Sequence, residues 1–160
     1  MRERGFEKIS IEQFNNDFSK HQDVGYDDVI LPRRGTGNAA GYDFFAPFAF
    51  VLKKGERMIV PTGIKAYMGN DEYLAIISRS SVGFKYNVRL CNQVGIIDAD
   101  YYNNETNEGH ILIAFSNEGE NDWLVEKGSK IAQGIFHKYL LIDNEEEEMK
   151  IRIGGIGSTN

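Results

Sequence analysis

The 160-residue sequence has little of several features that define particular classes of protein. It holds one cysteine, Cys91, so a disulfide within the chain is impossible, which is typical of a reducing compartment. No stretch approaches the roughly 20 apolar residues of a membrane span, and the first ten residues lack the apolar run of a signal peptide. The sequence therefore predicts a soluble cytoplasmic protein with no membrane partner, in which Cys91 is a small core residue.

Positive charge and metal-ligand motifs are also scarce. The 18 Lys and Arg residues are outnumbered by 24 Asp and Glu, which leaves a formal net charge of -6. Nucleic acid is therefore not an expected partner, because binding to its backbone needs clustered cations. The three histidines share no ligand spacing, and zinc and calcium motifs are missing, so a metal ion held by protein ligands is not expected. Any anionic ligand must meet a local positive site.

Helix signals concentrate near the N-terminus. Ser10 followed by Gln13 is a capping-box pattern, and Ile11, Phe14 and Phe18 lie at positions i, i+3 and i+7. Together these patterns predict one short amphipathic helix near residues 11–19.

From Val29 onward the sequence favours an all-β domain. Short runs rich in β-branched and aromatic residues, such as EYLAIIS, HILIAFSN and KIAQGIFHKYLLI, are separated by Gly, Pro, Asn and Asp. Their spacing is typical of a sandwich or barrel. We therefore expect an N-terminal extension at 1–28, one β domain at 29–144, and an acidic connector with a glycine-rich arm at 145–160.

Three segments carry weak functional signals when each is taken alone. VGIIDADY at 94–101 sets Asp98 and Asp100 at the end of an apolar strand, where a solvated turn explains them as well as a site does. GTGNAAG at 35–41 lacks the spacing of a dinucleotide loop and favours a flexible loop. GGIGST at 154–159 has no Walker lysine, although consecutive glycine N–H groups and two hydroxyls can hold phosphate oxygens.

Five segments taken together and in order are much more specific. They are AAGYDFFA at 39–46, SRSSVGFK at 78–85, NQVGIIDADY at 92–101, GSKIAQGIF at 128–136 and GGIGST at 154–159. In these segments the chain resembles the trimeric deoxyuridine triphosphatase (dUTPase) family. The resemblance implies a β-clip or distorted jelly-roll barrel that assembles as a homotrimer, with each active site built from three subunits. It also implies hydrolysis of dUTP to dUMP and pyrophosphate, which keeps uracil out of DNA and supplies dUMP for dTMP synthesis.

The resemblance also implies which residues carry the chemistry. Asp98 would be the base that takes a proton from the water attacking the α-phosphorus, with Asp100 as a structural or solvated neighbour. Arg79 and Ser80 would contact the phosphates, the Ser reaching the α,β bridge, and Gln133 would add a further phosphate contact. Mg²⁺ is the implied cofactor and would arrive with the nucleotide, held by phosphate oxygens and waters.

Selection of base and sugar is implied to come from a β-hairpin at 92–101. There the Asn92 amide and backbone groups, including those of Gly95 and Ile97, would bind the uracil edge and leave no room for a thymine methyl group. Tyr101 would stack under the deoxyribose and exclude a 2′-hydroxyl. Asp43 would support the site through a water or an Arg.

Several expected substrate-binding positions depart from the family pattern. Ser81 stands where Gly is usual, and Arg152, implied to bind the γ-phosphate, is offset by one residue. Ile156, followed by Gly157 and Ser158, replaces the aromatic residue that closes over uracil in the family. These differences affect the segment that is implied to close over the nucleotide more than they affect the implied catalytic base, Asp98.

The segment at 103–109 is longer than the family pattern and motivates a second hypothesis. A non-catalytic or dual-role regulatory nucleotide-binding protein would use this insertion to bind a partner protein, although retention of Asp98 argues against a pure binder. Tyr102, just before it, is a candidate to replace the missing lid aromatic. The related dCTP deaminase family needs an Arg and a Glu where this chain has Phe84 and Ala114, which cannot carry protons.

Overall fold

The computed structural model describes residues 2–144 and 154–155, and within them strands predominate. The strands are β1 (Gly5–Lys8), β2 (Arg33–Arg34), β3 (Tyr42–Phe45), β4 (Phe50–Leu52), β5 (Arg57–Pro61), β6 (Ile64–Tyr67), β7 (Glu72–Ser78), β8 (Val88–Leu90), β9 (Gly95–Asp98), β10 (Leu112–Asn117), β11 (Trp123–Val125) and β12 (Lys130–Lys138). The α-helices are α1 (Ile11–Asp17) and α2 (Ser80–Tyr86), and short 3-10 helices cover Tyr26–Asp28 and Ala99–Tyr101. This composition confirms the predicted all-β class with a short N-terminal helix.

The largest sheet has five antiparallel strands in the order β2-β3-β12-β7-β9. Its central strand β12 sets Gln133 opposite both Asp43 on β3 and Ile77 on β7. The pairing with β3 shifts register between Lys130 and Ala132, a bulge that re-aims the side chains at the start of β12. Strands β3, β12 and β7, which are distant in the sequence, therefore lie side by side.

A second sheet has the order β5-β10-β8, and β11 pairs with β4 beside it. Alternation along these strands separates a buried face from an exposed face. In β11, Trp123 and Val125 are buried while Leu124 between them is 69% exposed. The core enclosed by the sheets is apolar, and its fully buried members include Phe44, Leu52, Leu74, Ile113, Phe115 and Ile131.

Helix α1 forms where its cap and apolar spacing predicted it. The Ser10 hydroxyl accepts a hydrogen bond from the backbone N–H of Gln13 at 3.1 Å, which satisfies one free donor of the first turn. Phe14 and Phe18 are buried, with ring centroids 4.3 Å apart. Ile11, at the first helical position, does not join this packing, since it is 60% exposed.

Polar contacts fasten this N-terminal region to the β domain, and we call four of the residues involved the N-terminal clamp: Ser10, Asp17, Glu108 and His110. His110 is fully buried, and its Nε2 accepts from the Gly63 N–H at 2.8 Å. Its Nδ1 therefore carries the proton and donates to Asp17 Oδ2 at 2.5 Å. Burial lowers the pKa of His110 below the usual 6.5. The Glu108 carboxylate accepts from the Ser10 backbone N–H at 2.9 Å and from its hydroxyl.

Helix α2 was not predicted as a helix, because SRSSVGFK was assigned to a motif within the β region. Arg79 has an extended backbone before the helix, and Asn87 ends it in the left-handed conformation with φ 51°. Val82 is the buried residue of this seven-residue helix. So short an element, anchored by one apolar side chain, has no readable helical period.

The structure corrects two further expectations around β8 and β9. Residues 92–101 do not form a hairpin, since they hold a single strand, β9, which pairs with β7 and is followed by a 3-10 helix. Cys91 is exposed rather than a core residue. In the three-residue strand β8, Val88 and Leu90 point inward, and the chain then turns outward at Cys91.

Candidate active site

A mostly apolar cavity of about 370 Å³ lies where β7, β8, β9 and β10 meet. All four residues predicted to bind base and sugar line it: Asn92, Gly95, Ile97 and Tyr101. This volume is within the range of sites that enclose a small organic ligand. We call this space the apolar cavity.

The sequence of β9 allows the strand to form one wall of the apolar cavity. A Cβ on Gly95 would lie 3.3 Å from the Ile76 Cβ on β7, so a larger residue here would press against the neighbouring strand. Ile97 is partly buried against the core, whereas Ile96 is 54% exposed. Tyr101 is buried at the end of the following 3-10 helix, and its hydroxyl donates to the His110 carbonyl at 2.8 Å.

A second, polar cavity of about 380 Å³ lies at the other motif segments. Five of the predicted residues line it: Asp43, Arg79, Ser80, Ser81 and Gln133. They come from β3, α2 with the residue before it, and β12, which the five-stranded sheet holds together. We call this space the polar cavity.

Asp43 contacts both cations of the polar cavity. It is 7% exposed, and its two oxygens contact Arg79 Nε at 3.0 Å and Lys130 Nζ at 2.8 Å. Two cations around one carboxylate leave one net positive charge here, although the whole chain carries -6. The arrangement can attract an anion and hold both cations in fixed positions.

Gln133 is oriented at the floor of the polar cavity. Its Nε2 donates to the Ser78 carbonyl at 3.2 Å. A Cβ on Gly41 would lie 2.3 Å from Gln133 Oε1, so glycine at 41 gives this amide its space. The loop predicted at 35–41 thus forms part of a site, with Gly35, Thr36, Ala39 and Gly41 in the cavity wall.

Sequence reasoning missed Lys130 as a site residue. It lies inside the quoted segment GSKIAQGIF, but a lysine at the start of a strand has no distinctive signal. It approaches Asp43 because β12 pairs with β3, next to a register shift between Lys130 and Ala132.

Asp98, the predicted base, lies beside the apolar cavity and not in its wall, since Ile96 lines both that cavity and the depression that Asp98 borders. Within the described part of the chain, it lines neither the apolar nor the polar cavity and instead borders a shallow depression of about 240 Å³ with Tyr73, Ile96 and Tyr139. Alternation along β9 explains this, because Ile97 and Asp98 point to opposite faces of the strand. Within one chain, the predicted base Asp98 therefore borders the shallow depression, whereas the predicted phosphate contacts line the polar cavity.

The C-terminal predictions fall largely outside the described residues. Arg152, Ile156, Gly157 and Ser158 are among them, as are most of the acidic connector and arm. Gly155 is described: it lines the apolar cavity, and its N–H donates to the Thr106 hydroxyl at 3.1 Å. Tyr102 is directed elsewhere, since its hydroxyl bonds the Glu7 carboxylate and its ring packs against Tyr67.

Two features are missing from the part of the chain that the structure describes. None of the helices at 2–144 is long and apolar enough to cross a membrane. Over the same ranges we find no group of three or more His, Cys, Asp or Glu side chains placed to hold a metal ion.

The sequence matches one protein family over most of its length. The family model described as dUTPase matches residues 27–160. The deoxyuridine 5'-triphosphate nucleotidohydrolase of Lactococcus lactis is 39% identical over 160 residues, which cover 99% of each chain. The N-terminal extension is therefore shared with this relative. The corresponding protein of Rickettsia canadensis is 35% identical over 81% of this chain and 87% of its own.

Solved structures show the same similarity. The crystal structure of dUTPase from Streptococcus mutans has 40% sequence identity and a TM-score of 0.71, covering 87% of this chain and 98% of that one. A mutant dUTPase from phage phi11 of S. aureus, described with a structural Mg(II) ion, has a TM-score of 0.65 over 92% and 97%. At 18% identity the phage structure supports the fold alone.

Proposed function

The chain belongs to the dUTPase family, and from this membership we propose that it is a dUTP nucleotidohydrolase that converts dUTP to dUMP and pyrophosphate. The observation that carries the proposal is the polar cavity, where two cations and several hydrogen-bonding side chains surround one buried carboxylate. A triphosphate is the kind of ligand that this charge excess favours in an otherwise acidic protein.

We assign the phosphates to the polar cavity. Arg79 and Lys130 are held by Asp43 and offer cationic N–H donors, while Ser80 and Ser81 add hydroxyls and Gln133 adds an amide. Phosphoryl transfer depends mainly on positioning and on stabilisation of charge that develops on phosphate oxygens. Asp43 is thus a supporting residue that acts through its two cations.

We assign the uracil and deoxyribose to the apolar cavity. Asn92 supplies the side-chain amide that can pair with the uracil edge, and Gly95 and Ile97 supply backbone groups beside it. A site that hydrogen-bonds its ligand rejects mismatched bases strongly, because mispairing leaves buried polar groups unsatisfied. Tyr101 contributes an aromatic face where a 2′-hydroxyl would meet the ring.

We assign the base to Asp98. Its carboxylate takes a proton from water as the water oxygen forms a bond to the α-phosphorus. The bond from that phosphorus to the α,β bridging oxygen breaks, and the electron pair leaves with pyrophosphate. A positioned general base contributes about 10² to 10⁴ in rate.

The placement of Asp98 supports a shared site, because it borders the shallow depression and does not line the polar cavity. Asp98 pairs with Tyr73 near the start of β7, whereas Arg79 and Ser80 follow the other end of that strand, so we infer that a second copy supplies one half of the site. We propose a homotrimer with active sites between subunits, in which the C-terminal arm carrying Arg152, Ile156, Gly157 and Ser158 closes over the nucleotide. Gel filtration with light scattering tests the trimer directly.

We propose that Mg²⁺ enters together with dUTP. When bound, it would neutralise part of the negative charge on the triphosphate. The chemistry of the polar cavity fits this role, because Asp43 is engaged by two cations and the remaining groups suit phosphate oxygens better than a bare metal ion. The residues that would hold the complex are Arg79, Lys130, Ser80 and Gln133.

The alternatives gain no support from the comparisons. The named relatives are nucleotidohydrolases, which disfavours a purely regulatory protein. A regulatory partner at 103–109 stays a prediction. Phe84 is 94% exposed and Ala114 lines the apolar cavity, and neither side chain can carry the protons of a deamination.

The test is incubation of the purified protein and Mg²⁺ with dUTP, dCTP, dTTP and UTP, with pyrophosphate and ammonia assayed separately. We expect pyrophosphate from dUTP and far less from the other three nucleotides. Ammonia from dCTP would identify a deaminase, and binding of dUTP without product would identify a regulator.

A further inference from the structure

In the loop after the second 3-10 helix, residues 102–109, several polar side chains form hydrogen bonds within their own chain. Asn104 is 7% exposed, Asn103 accepts from Lys65 Nζ at 2.7 Å, and Glu108 belongs to the N-terminal clamp. These groups are already paired within the chain, so they are poorly suited to recognise a separate protein. The loop requires a role inside the molecule.

One side chain of this loop reaches the wall of the apolar cavity. Asn107 Nδ2 donates to the Tyr101 hydroxyl at 2.8 Å, while that hydroxyl donates to the His110 carbonyl at 2.8 Å. The phenol oxygen is therefore held from two sides, as donor and as acceptor. Such a pair of bonds fixes the position of the Tyr101 ring more tightly than packing alone.

Asn107 is itself held in place by its neighbours. Its Oδ1 accepts from Asn104 Nδ2 at 2.7 Å and from the Gly109 N–H at 3.1 Å. Asn104 in turn donates to the Tyr101 carbonyl at 2.8 Å and accepts from the backbone N–H of Thr106 and Asn107 at 3.0 and 3.1 Å. This network leaves the Asn107 amide one orientation, with Nδ2 toward the phenol.

We propose that Asn107 is a positioning residue for sugar selection, which acts by fixing Tyr101 where a 2′-hydroxyl of the substrate would collide with it. This inference rests on the proposed function, because it takes the apolar cavity as the nucleoside site. Asn107 does not line the cavity and acts only through the Tyr101 hydroxyl.

The same loop meets the beginning of the glycine-rich arm. Thr106 accepts from the Gly155 N–H at 3.1 Å, and a Cβ on Gly155 would lie 3.3 Å from Asn107 Nδ2. The loop thus contacts both the tyrosine, through Asn107, and a glycine that lines the cavity, through Thr106.

The test is a double-mutant cycle in the full-length protein, with Asn107→Leu, Tyr101→Phe and the double variant. For each we would measure kcat and KM with dUTP and with UTP. Asn107→Leu removes the donor at similar volume, and we expect the ratio of kcat/KM for dUTP over UTP to fall about tenfold, with most of the change in KM. Tyr101→Phe should lower this ratio similarly, and the double variant should fall no further than Tyr101→Phe alone.

Glu105→Ala is the matched control, because Glu105 is exposed in the same loop, and it should leave the ratio unchanged. An unchanged ratio in a folded Asn107→Leu variant, or losses that add in the double variant, would overturn the proposal. If Asn107→Leu does not fold, Tyr101→Phe decides: an unchanged ratio there excludes action through the hydroxyl. Calorimetric binding of dUMP and UMP needs no turnover, so it tests Asn107 even if dUTP hydrolysis, and with it the proposed function, fails.

Discussion

The N-terminal clamp and the polar cavity are both built from acid–base contacts, but they use them differently. In the clamp, Asp17 contacts a His110 side chain that is 0% exposed. In the polar cavity, Asp43 contacts Arg79 and Lys130, whose side chains are 29% and 39% exposed. Asp17 is itself 28% exposed, so the difference lies in the basic partner. The sealed His110 side chain serves the fold, whereas cations that still reach solvent remain available to an anionic ligand.

This comparison separates two kinds of polar residue that look alike in a sequence. Contacts in the clamp should govern stability and leave turnover nearly unchanged. Contacts around the polar cavity, and Asp98, should govern turnover and change stability little. Variants in each region test that division.

Asp98→Asn should have the largest effect on catalysis. An amide cannot take a proton from the attacking water, so kcat should fall about 10² to 10⁴-fold while nucleotide binding persists. Steady-state assays of pyrophosphate release, with calorimetry of a non-hydrolysable dUTP analogue, measure the two effects separately.

Asp100→Asn is the matched control for that variant, since it removes a carboxylate two residues away. We expect its loss in kcat to be much smaller. Equal losses in the two variants would remove the reason to assign the base to position 98.

Lys130→Gln should have the next largest effect. Loss of a cation from the polar cavity removes a charge-assisted contact worth about 1.5 to 3 kcal/mol, so kcat/KM for dUTP should fall roughly 10- to 100-fold. Lys54→Gln makes the same change of charge at a surface pair with Glu120, and it should leave kcat/KM unchanged. If both variants behave alike, Lys130 contributes only to overall charge.

Local patterns in the sequence were sufficient for the parts of the fold that depend on neighbours along the chain. Ser10 and Gln13 predicted the helix cap that forms, and EYLAIIS coincides with β7. The five motif segments also led to nine residues that line the two cavities: Asp43, Arg79, Ser80, Ser81, Asn92, Gly95, Ile97, Tyr101 and Gln133.

Features that depend on pairing between distant strands could not be predicted in this way. The hairpin expected at 92–101 was wrong, because the one strand in that segment, β9, pairs with the distant strand β7. Lys130 meets Asp43 through the pairing of β12 with β3, which the composition of neither strand reveals. Cys91 has apolar neighbours in the sequence, which suggested a core residue. It is exposed because the chain turns outward after Leu90.

Acidification should destabilise the clamp before it affects ordinary carboxylates. Burial lowers the pKa of His110, so the folded state binds this proton less readily than the unfolded state does. Above about pH 6.5 both states are neutral, and as pH falls below it the free energy of unfolding should decrease by up to about 1.4 kcal/mol per pH unit. The decrease continues until pH reaches the folded pKa.

Calorimetric Tm values between pH 7.5 and 5.5 measure this dependence. His110→Gln removes the titrating group and should flatten the slope, although it lowers Tm overall. His137→Gln, at an exposed residue, should retain the slope of the unchanged protein. A slope that survives in His110→Gln would show that other groups cause it.

Ser10→Ala should have the smallest effect of the four predicted changes. It tests whether a clamp contact affects stability without affecting turnover. The variant loses both the cap on Gln13 and the hydroxyl contact to Glu108, which together should lower the free energy of unfolding by about 1 to 2 kcal/mol. Ser10→Thr retains the hydroxyl and should recover most of that loss. Because the clamp lies behind Tyr101 rather than in the cavity wall, kcat for dUTP should be unchanged in both variants. A fall in kcat with Ser10→Ala alone would mean that the clamp and the nucleotide site are coupled through the bond from the Tyr101 hydroxyl to His110. In that case the two regions would not divide stability from turnover.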